Sequence, residues 1–174
     1  MHRVMLLRHA KSAWEDAATA DRARPLNRRG ERAAAAIGRA IGDLQLIPDL
    51  ILVSPARRAM QTLAALAPLN PNTRIETPEA LYLADAETLL HILRQLPEPV
   101  GGALLIGHNP GLHELAVLLT DATEKTADAR RLMQSFPTAG LAEFALGRSW
   151  RDLGPRTATL VRFLVPRDLP ELAA

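Results

Sequence analysis

The chain has 174 residues, of which 48% are hydrophobic, 3% aromatic and 23% charged. Lysine and arginine number 21 against 19 aspartates and glutamates, a formal charge of +2, and there is no cysteine. That length admits a single domain over 1–174 with a full aliphatic core, while the near-neutral balance and scarce aromatics argue against a nucleic-acid surface. Missing thiols exclude disulfides and thiolate metal sites. No apolar run approaches the ~20 residues of a membrane span, and no basic, apolar, small-residue series follows Met1. The expectation is a cytoplasmic, monomeric α/β protein without nucleic-acid or membrane partners.

In chain order, residues 3–7 are short and apolar on both faces, as in a fully buried strand. Residues 10–25 keep neither a helical nor a strand period and carry Trp14, Glu15, Asp16, Asp21, Arg22 and Arg24. A structureless stretch of that length is uncommon unless functional. Asn27 is placed to cap a helix. Behind it Ala33, Ala34, Ile37, Ala40, Ile41 and Leu44 recur at three and four. Leu50–Val53 predicts a second buried strand. Ser54 can cap the next helix, Pro55 suits its first position, and Met60, Leu63, Ala64 and Ala67 make its apolar stripe. After the turn-rich Pro68 to Asn72, residues 74–77 predict a short edge strand. Asp85 can cap a helix through Leu96, with Leu89, Leu90, Ile92, Leu93 and Leu96 inward. Residues 103–106 predict a third buried strand. Asn109 and Pro110 open a helix carrying Leu112, Leu115, Ala116, Leu118 and Leu119. Residues 120–130 are polar and predict a mobile loop. Leu141–Leu146 and residues 157–165 predict an antiparallel strand pair. Alternating strands and helices imply a three-layer α/β/α domain with a mostly parallel central sheet and an antiparallel edge strand.

Each of the three buried strands stops at basic or imidazole groups: Arg8-His9, Arg57-Arg58 after Ser54-Pro55-Ala56, and Gly107-His108-Asn109. In open α/β sheets the carboxyl edge is where ligands bind. A lone histidine there is most often structural. Two histidines with Arg8 and Arg58 would repel without an anion to neutralise them. A metal site is the competing arrangement, but the three motifs contain no carboxylate, and their arginines would repel a cation. The residues favour phosphate and neither metal nor cofactor. Neutral His9 can attack phosphorus in line. Arg8 and Arg58 can fork onto the oxygens, and a protonated His108 adds a third donor.

These residues carry a resemblance. Arg8-His9 after a strand, the run from Ser54 to Thr62, and Gly107-His108-Asn109 resemble the histidine phosphatase (phosphoglycerate mutase-like) superfamily. The narrower likeness is to SixA-type phosphohistidine phosphatases. It rests on Leu7-Arg8-His9-Ala10-Lys11-Ser12, on Arg24-Pro25-Leu26 with Gly30 following, and on Gly107-His108-Asn109-Pro110. The resemblance implies a phosphoglycerate mutase-like fold, His9 as the phosphorylated nucleophile, and Arg8, Arg58 and His108 as its phosphate pocket. Arg58 matches the family position because it precedes Ala59, and Arg57 reads as a solvated surface residue. Arg24 and Asn109 are candidate substrate contacts, Arg24 equally a loop anchor through Asp21 or Asp16. The implied partner is a phosphorylated protein, such as a histidine phosphotransfer domain. A small phosphate ester is the alternative substrate, and a non-catalytic phospho-ligand module the alternative class.

One departure stands out. Larger members of the superfamily offer an acid after the third strand, where this chain reads from Pro78 to Asp85 with Leu81, Tyr82, Leu83 and Ala84 between. Glu79, Asp85, Asp16 and Asp21 remain as candidate proton donors. A missing acid suits a labile phosphorus–nitrogen bond. Trp14, in the long loop, is placed to pack that loop or touch a protein substrate.

Overall fold

The computed structural model describes residues 2–14, 18–66, 68–121, 123 and 125–172. Six strands, β1 (His2–Arg8), β2 (Leu50–Val53), β3 (Arg74–Glu76), β4 (Gly102–Gly107), β5 (Leu141–Leu146) and β6 (Ala158–Leu164), form one sheet in the order β3-β2-β4-β1-β5-β6. The first four in that order run parallel, and β5 and β6 add antiparallel. The helices are α1 (Arg28–Asp43), α2 (Arg57–Ala64), α3 (Ala86–Arg94), α4 (Gly111–Leu119) and α5 (Ala127–Gln134). The architecture is the expected mixed α/β layer arrangement, with the antiparallel pair at one edge.

The continuous apolar runs of β1, β2 and β4 follow from burial on both faces. Their side chains alternate between two cores, as a period of two requires. Val4, Leu6, Leu50, Leu52, Ala103 and Leu105 join Leu89, Leu93, Leu112 and Leu115 of α3 and α4. Met5, Leu7, Ile51, Val53, Leu104 and Ile106 join Ile37, Ile41, Ala59 and Leu63 of α1 and α2. Register aligns the strand ends, Arg8 opposite Gly107 and Val53 opposite Ile106. His9, Ser54 and His108 therefore leave the sheet side by side. On the antiparallel side, buried Glu143 pairs with Arg3 (3.1 Å) and Arg162 (2.5 Å) from its two neighbouring strands.

The Asn27 and Asp85 caps form, accepting from the backbone N–H of Gly30 and Thr88 at 2.8 Å each. Gly30 is needed for close approach: a Cβ there would stand 2.1 Å from the carbonyl oxygen of Lys11, in the stretch after His9.

Several expectations are corrected. Ser54 does not cap α2, whose cap position is Ala56, and Pro55 precedes that cap. The Ser54 side chain is drawn instead to His108. The buried stripe of α2 is Arg58, Ala59, Thr62 and Leu63, not Met60 and Ala64, which are exposed. That rotation turns Arg58 toward the sheet edge. Ala67 lies outside the described residues. Leu44 is the exposed C-cap of α1, and Leu46 takes the buried place. Helix α3 ends at Arg94, before the expected Leu96. The polar stretch 120–130 is not wholly loop. Thr126 caps α5, which buries Ala129 and Leu132. Its short apolar face was hidden by the charged residues around it.

Candidate active site

Strand β1 delivers Arg8 and His9 to the carboxyl edge, α2 delivers Arg58, and β4 delivers His108 and Asn109. With Lys11, Asp21, Arg24 and Thr138 they line one pocket of ≈ 240 Å³. The two imidazoles lie 5.0 Å apart, centroid to centroid. His9, Arg24, Arg58 and His108 are each at most 8% exposed.

The tautomers follow from the partners, because a carbonyl only accepts and a guanidinium only donates. His9 Nδ1–H donates to the carbonyl of Ala10 at 2.7 Å, and its Nε2 accepts from Arg58 Nε at 3.2 Å. His108 Nδ1 accepts from an Arg58 Nη2 donor at 3.3 Å, so its Nε2–H donates to Ser54 Oγ at 2.6 Å. Both rings are neutral. Burial, with Arg58 and Arg8 nearby, holds His9 at about 4, against the opposing pull of its bond to Ala10. Burial, His9 and Arg58 hold His108 at about 3. His108 would add a third charged donor only if protonated, and here its ring is neutral.

The guanidiniums are anchored from behind. Arg8 donates to the carbonyl of Phe136 at 3.0 Å, which also accepts from Asn109 Nδ2 at 2.9 Å. Arg58 donates to the Asp21 carbonyl at 2.7 Å and to its carboxylate at 3.0 Å. Arg24 pairs with the other Asp21 oxygen at 2.8 Å and stacks on the Trp14 ring at 3.4 Å. The loop-anchoring role weighed for Arg24 is therefore present. Its Nε and one Nη nitrogen are nevertheless buried without a partner among the described residues, as is Arg8 Nε. Donors left in that condition are costly unless an acceptor joins them. The pocket therefore fits an oxyanion.

The family resemblance extends beyond these residues. A family model for the histidine phosphatase superfamily (branch 1) matches residues 4–82. An uncharacterized protein of Mycobacterium tuberculosis is 37% identical over 92% of this chain and 100% of its own length. The chain belongs to the histidine phosphatase superfamily.

Among solved structures of this superfamily, a protein of Agrobacterium tumefaciens assigned as the phosphohistidine phosphatase SixA is 32% identical. It covers 95% of this chain and 98% of its own, with a TM-score of 0.80. A counterpart from Nakamurella multipartitia is 26% identical, covering 95% and 96%, with a TM-score of 0.83. The fold is phosphoglycerate mutase-like, and the activity is that of a phosphatase. Among the described residues no helix is long and apolar enough to cross a membrane.

The four acid candidates of this histidine phosphatase fare differently. Glu79 is paired with Arg22 at 2.7 Å, and Asp85 caps α3. Asp21 lines the pocket, but the Tyr82 hydroxyl (2.6 Å) and Arg58 hold its carboxyl below the usual range, so it is ionised. Asp16 lies outside the described residues. Leu83, with a positive φ of 51°, faces the pocket from the stretch where larger relatives offer an acid.

Sequence reasoning missed Ser54 as a partner of His108, Tyr82 as the anchor of Asp21, and Phe136 as the acceptor for Arg8. Ser54 carried a signal: a hydroxyl directly after a buried strand, as Arg8-His9 and Gly107-His108 end theirs.

Proposed function

We propose that this chain removes a phosphoryl group through a covalent phosphohistidine on His9, without metal or cofactor. We further propose that the group is carried on a histidine of a signalling protein, such as a histidine phosphotransfer domain. The observation that carries the chemistry is the bond from His9 Nδ1–H to the Ala10 carbonyl. It leaves Nε2 unprotonated and turned toward Arg58, where it can attack.

His9 Nε2 forms the bond to phosphorus as the bond to the leaving atom breaks. Arg58 gives up Nε2 for the phosphoryl oxygens, joined by Arg8, the unpartnered nitrogens of Arg24, and Asn109. These donors stabilise charge spreading over the oxygens in the transition state. Water then attacks phosphorus and His9 departs as a neutral imidazole, the water's proton passing to solvent. The substrate class is supported by the carboxylates. Among the described residues none stands in the pocket as an acid. An alkoxide leaving group needs a proton. An imidazole already protonated on its distal nitrogen leaves as a neutral ring and needs none.

Brief exposure to substrate should trap an acid-labile, base-stable phosphate on the wild-type chain and none on His9→Ala. Tight phosphate binding without label would instead indicate a phospho-ligand binding module. A phosphohistidine protein should then turn over faster than a panel of sugar and nucleotide monophosphates. The reverse order would make this a small-molecule phosphomonoesterase using the same site.

A further inference from the structure

A second cavity, of ≈ 270 Å³, adjoins the catalytic pocket, and Lys11 and Thr138 line both. It opens between the first turn of α1, the end of α5 and the segment after β6. Lys11, Arg29, Arg131 and Arg167 stand around it. Arg131 is neutralised by Asp128 and Asp168. Lys11, Arg29 and Arg167 are exposed and have no ion pair among the described residues. Buried Phe163 and Val165 close its floor, and half-buried Pro137 and Pro166 give it an apolar surface. The phosphoryl chemistry uses none of the three exposed cations.

We propose that this groove seats an acidic stretch of the polypeptide that carries the phosphoryl group. Its carboxylates would lie on Lys11, Arg29 and Arg167, and its methylenes over Pro137 and Pro166. The proposal rests on the phosphatase reading above and adds to it what flanks the phosphorylated residue. Charge complementarity across such a contact sets partner choice and encounter rate. A single small anion would satisfy the cations and leave the apolar floor wet. A nucleic-acid strand would need aromatic faces for stacking, and the groove's one aromatic ring, Phe163, is 2% exposed.

The test uses two phosphopeptides with the same phosphorylated residue, one flanked by Glu and one by Gln, and an aryl phosphate too small to reach the groove. The wild-type chain should favour the acidic peptide by about tenfold in KM at equal kcat, and added salt should erase the preference. In Arg29→Glu/Arg167→Glu the preference should vanish or invert, while aryl phosphate turnover persists. Fluorescence anisotropy of the unphosphorylated acidic peptide reads the groove independently of turnover: it should bind wild type and not the variant. Equal KM values for the two peptides in wild type, or equal peptide binding by wild type and variant, would overturn the groove assignment and leave the phosphatase reading standing. A small ester with a second anion that outcompetes the acidic peptide in wild type only would reassign the groove to small molecules. Failure of wild type on all three substrates would count against the phosphatase reading, with the anisotropy result still deciding the groove.

Discussion

Arg58 donates its Nε–H to Nε2 of His9 across 3.2 Å. The same guanidinium reaches His108 at 3.3 Å and Asp21 at 2.7 and 3.0 Å. One planar fork thus orders two imidazoles and a carboxylate. Removing it takes away a transition-state donor and the group that fixes both rings. Arg58→Ala should lower kcat by about a hundredfold to a thousandfold, measured by steady-state turnover. Arg58→Lys should recover little, because a point charge cannot serve three partners in one plane.

The neutral imidazoles make the fold acid-sensitive. Each is held below the ordinary histidine value of 6.5, at about 4 for His9 and about 3 for His108. Between 6.5 and those values the unfolded chain takes up protons that the folded chain refuses. Stability is therefore full above pH 6.5 and falls as pH drops toward 4. The slope reaches at most about 1.4 kcal/mol per pH unit for each ring. Denaturant unfolding from pH 7.5 to 4 should show this loss, and His108→Asn should flatten it.

Much of this arrangement was legible in the sequence. Apolar runs that break off at Arg8-His9, before Ser54 and at Gly107-His108 are readable, because strands buried on both faces leave an unbroken hydrophobic signal. Their common level was not readable. It depends on the register of β1 against β4 and of β4 against β2, which no local pattern encodes. Helix α5 was hidden because a short helix burying only Ala129 and Leu132 presents mostly charge. The α2 stripe was misread because its buried face includes Arg58 and Thr62. Apolar periodicity discards such residues, and a functional helix face is where that rule fails.

Asp21 fills donors that a phosphoryl group would also claim. Its carboxylate and carbonyl take two Arg58 nitrogens, and its second oxygen takes Arg24. A bound phosphate would also feel its negative charge. Asp21→Asn should therefore tighten inorganic phosphate or vanadate binding several-fold, measured by calorimetry or competitive inhibition. Weaker binding would show that the carboxylate serves chiefly to aim Arg58.

Ser54 Oγ accepts the Nε2–H of His108 at 2.6 Å, and the backbone N–H of Ala56 reaches the same oxygen at 3.3 Å. Ser54 is wholly buried, so Ser54→Ala strands a buried donor without water to replace the lost acceptor. Either tautomer of the ring then carries a cost. Moving its proton to Nδ1 would set N–H against the Arg58 donor. The cost should be about 1–3 kcal/mol, seen as a fall of several degrees in Tm for a chain of this size. Nitrogen chemical shifts of His108 give the second readout. They should report the Nε2–H tautomer in wild type and a mixture in Ser54→Ala, with kcat lowered in step. A Ser54→Ala chain with unchanged tautomer and unchanged kcat would reduce Ser54 to a packing residue.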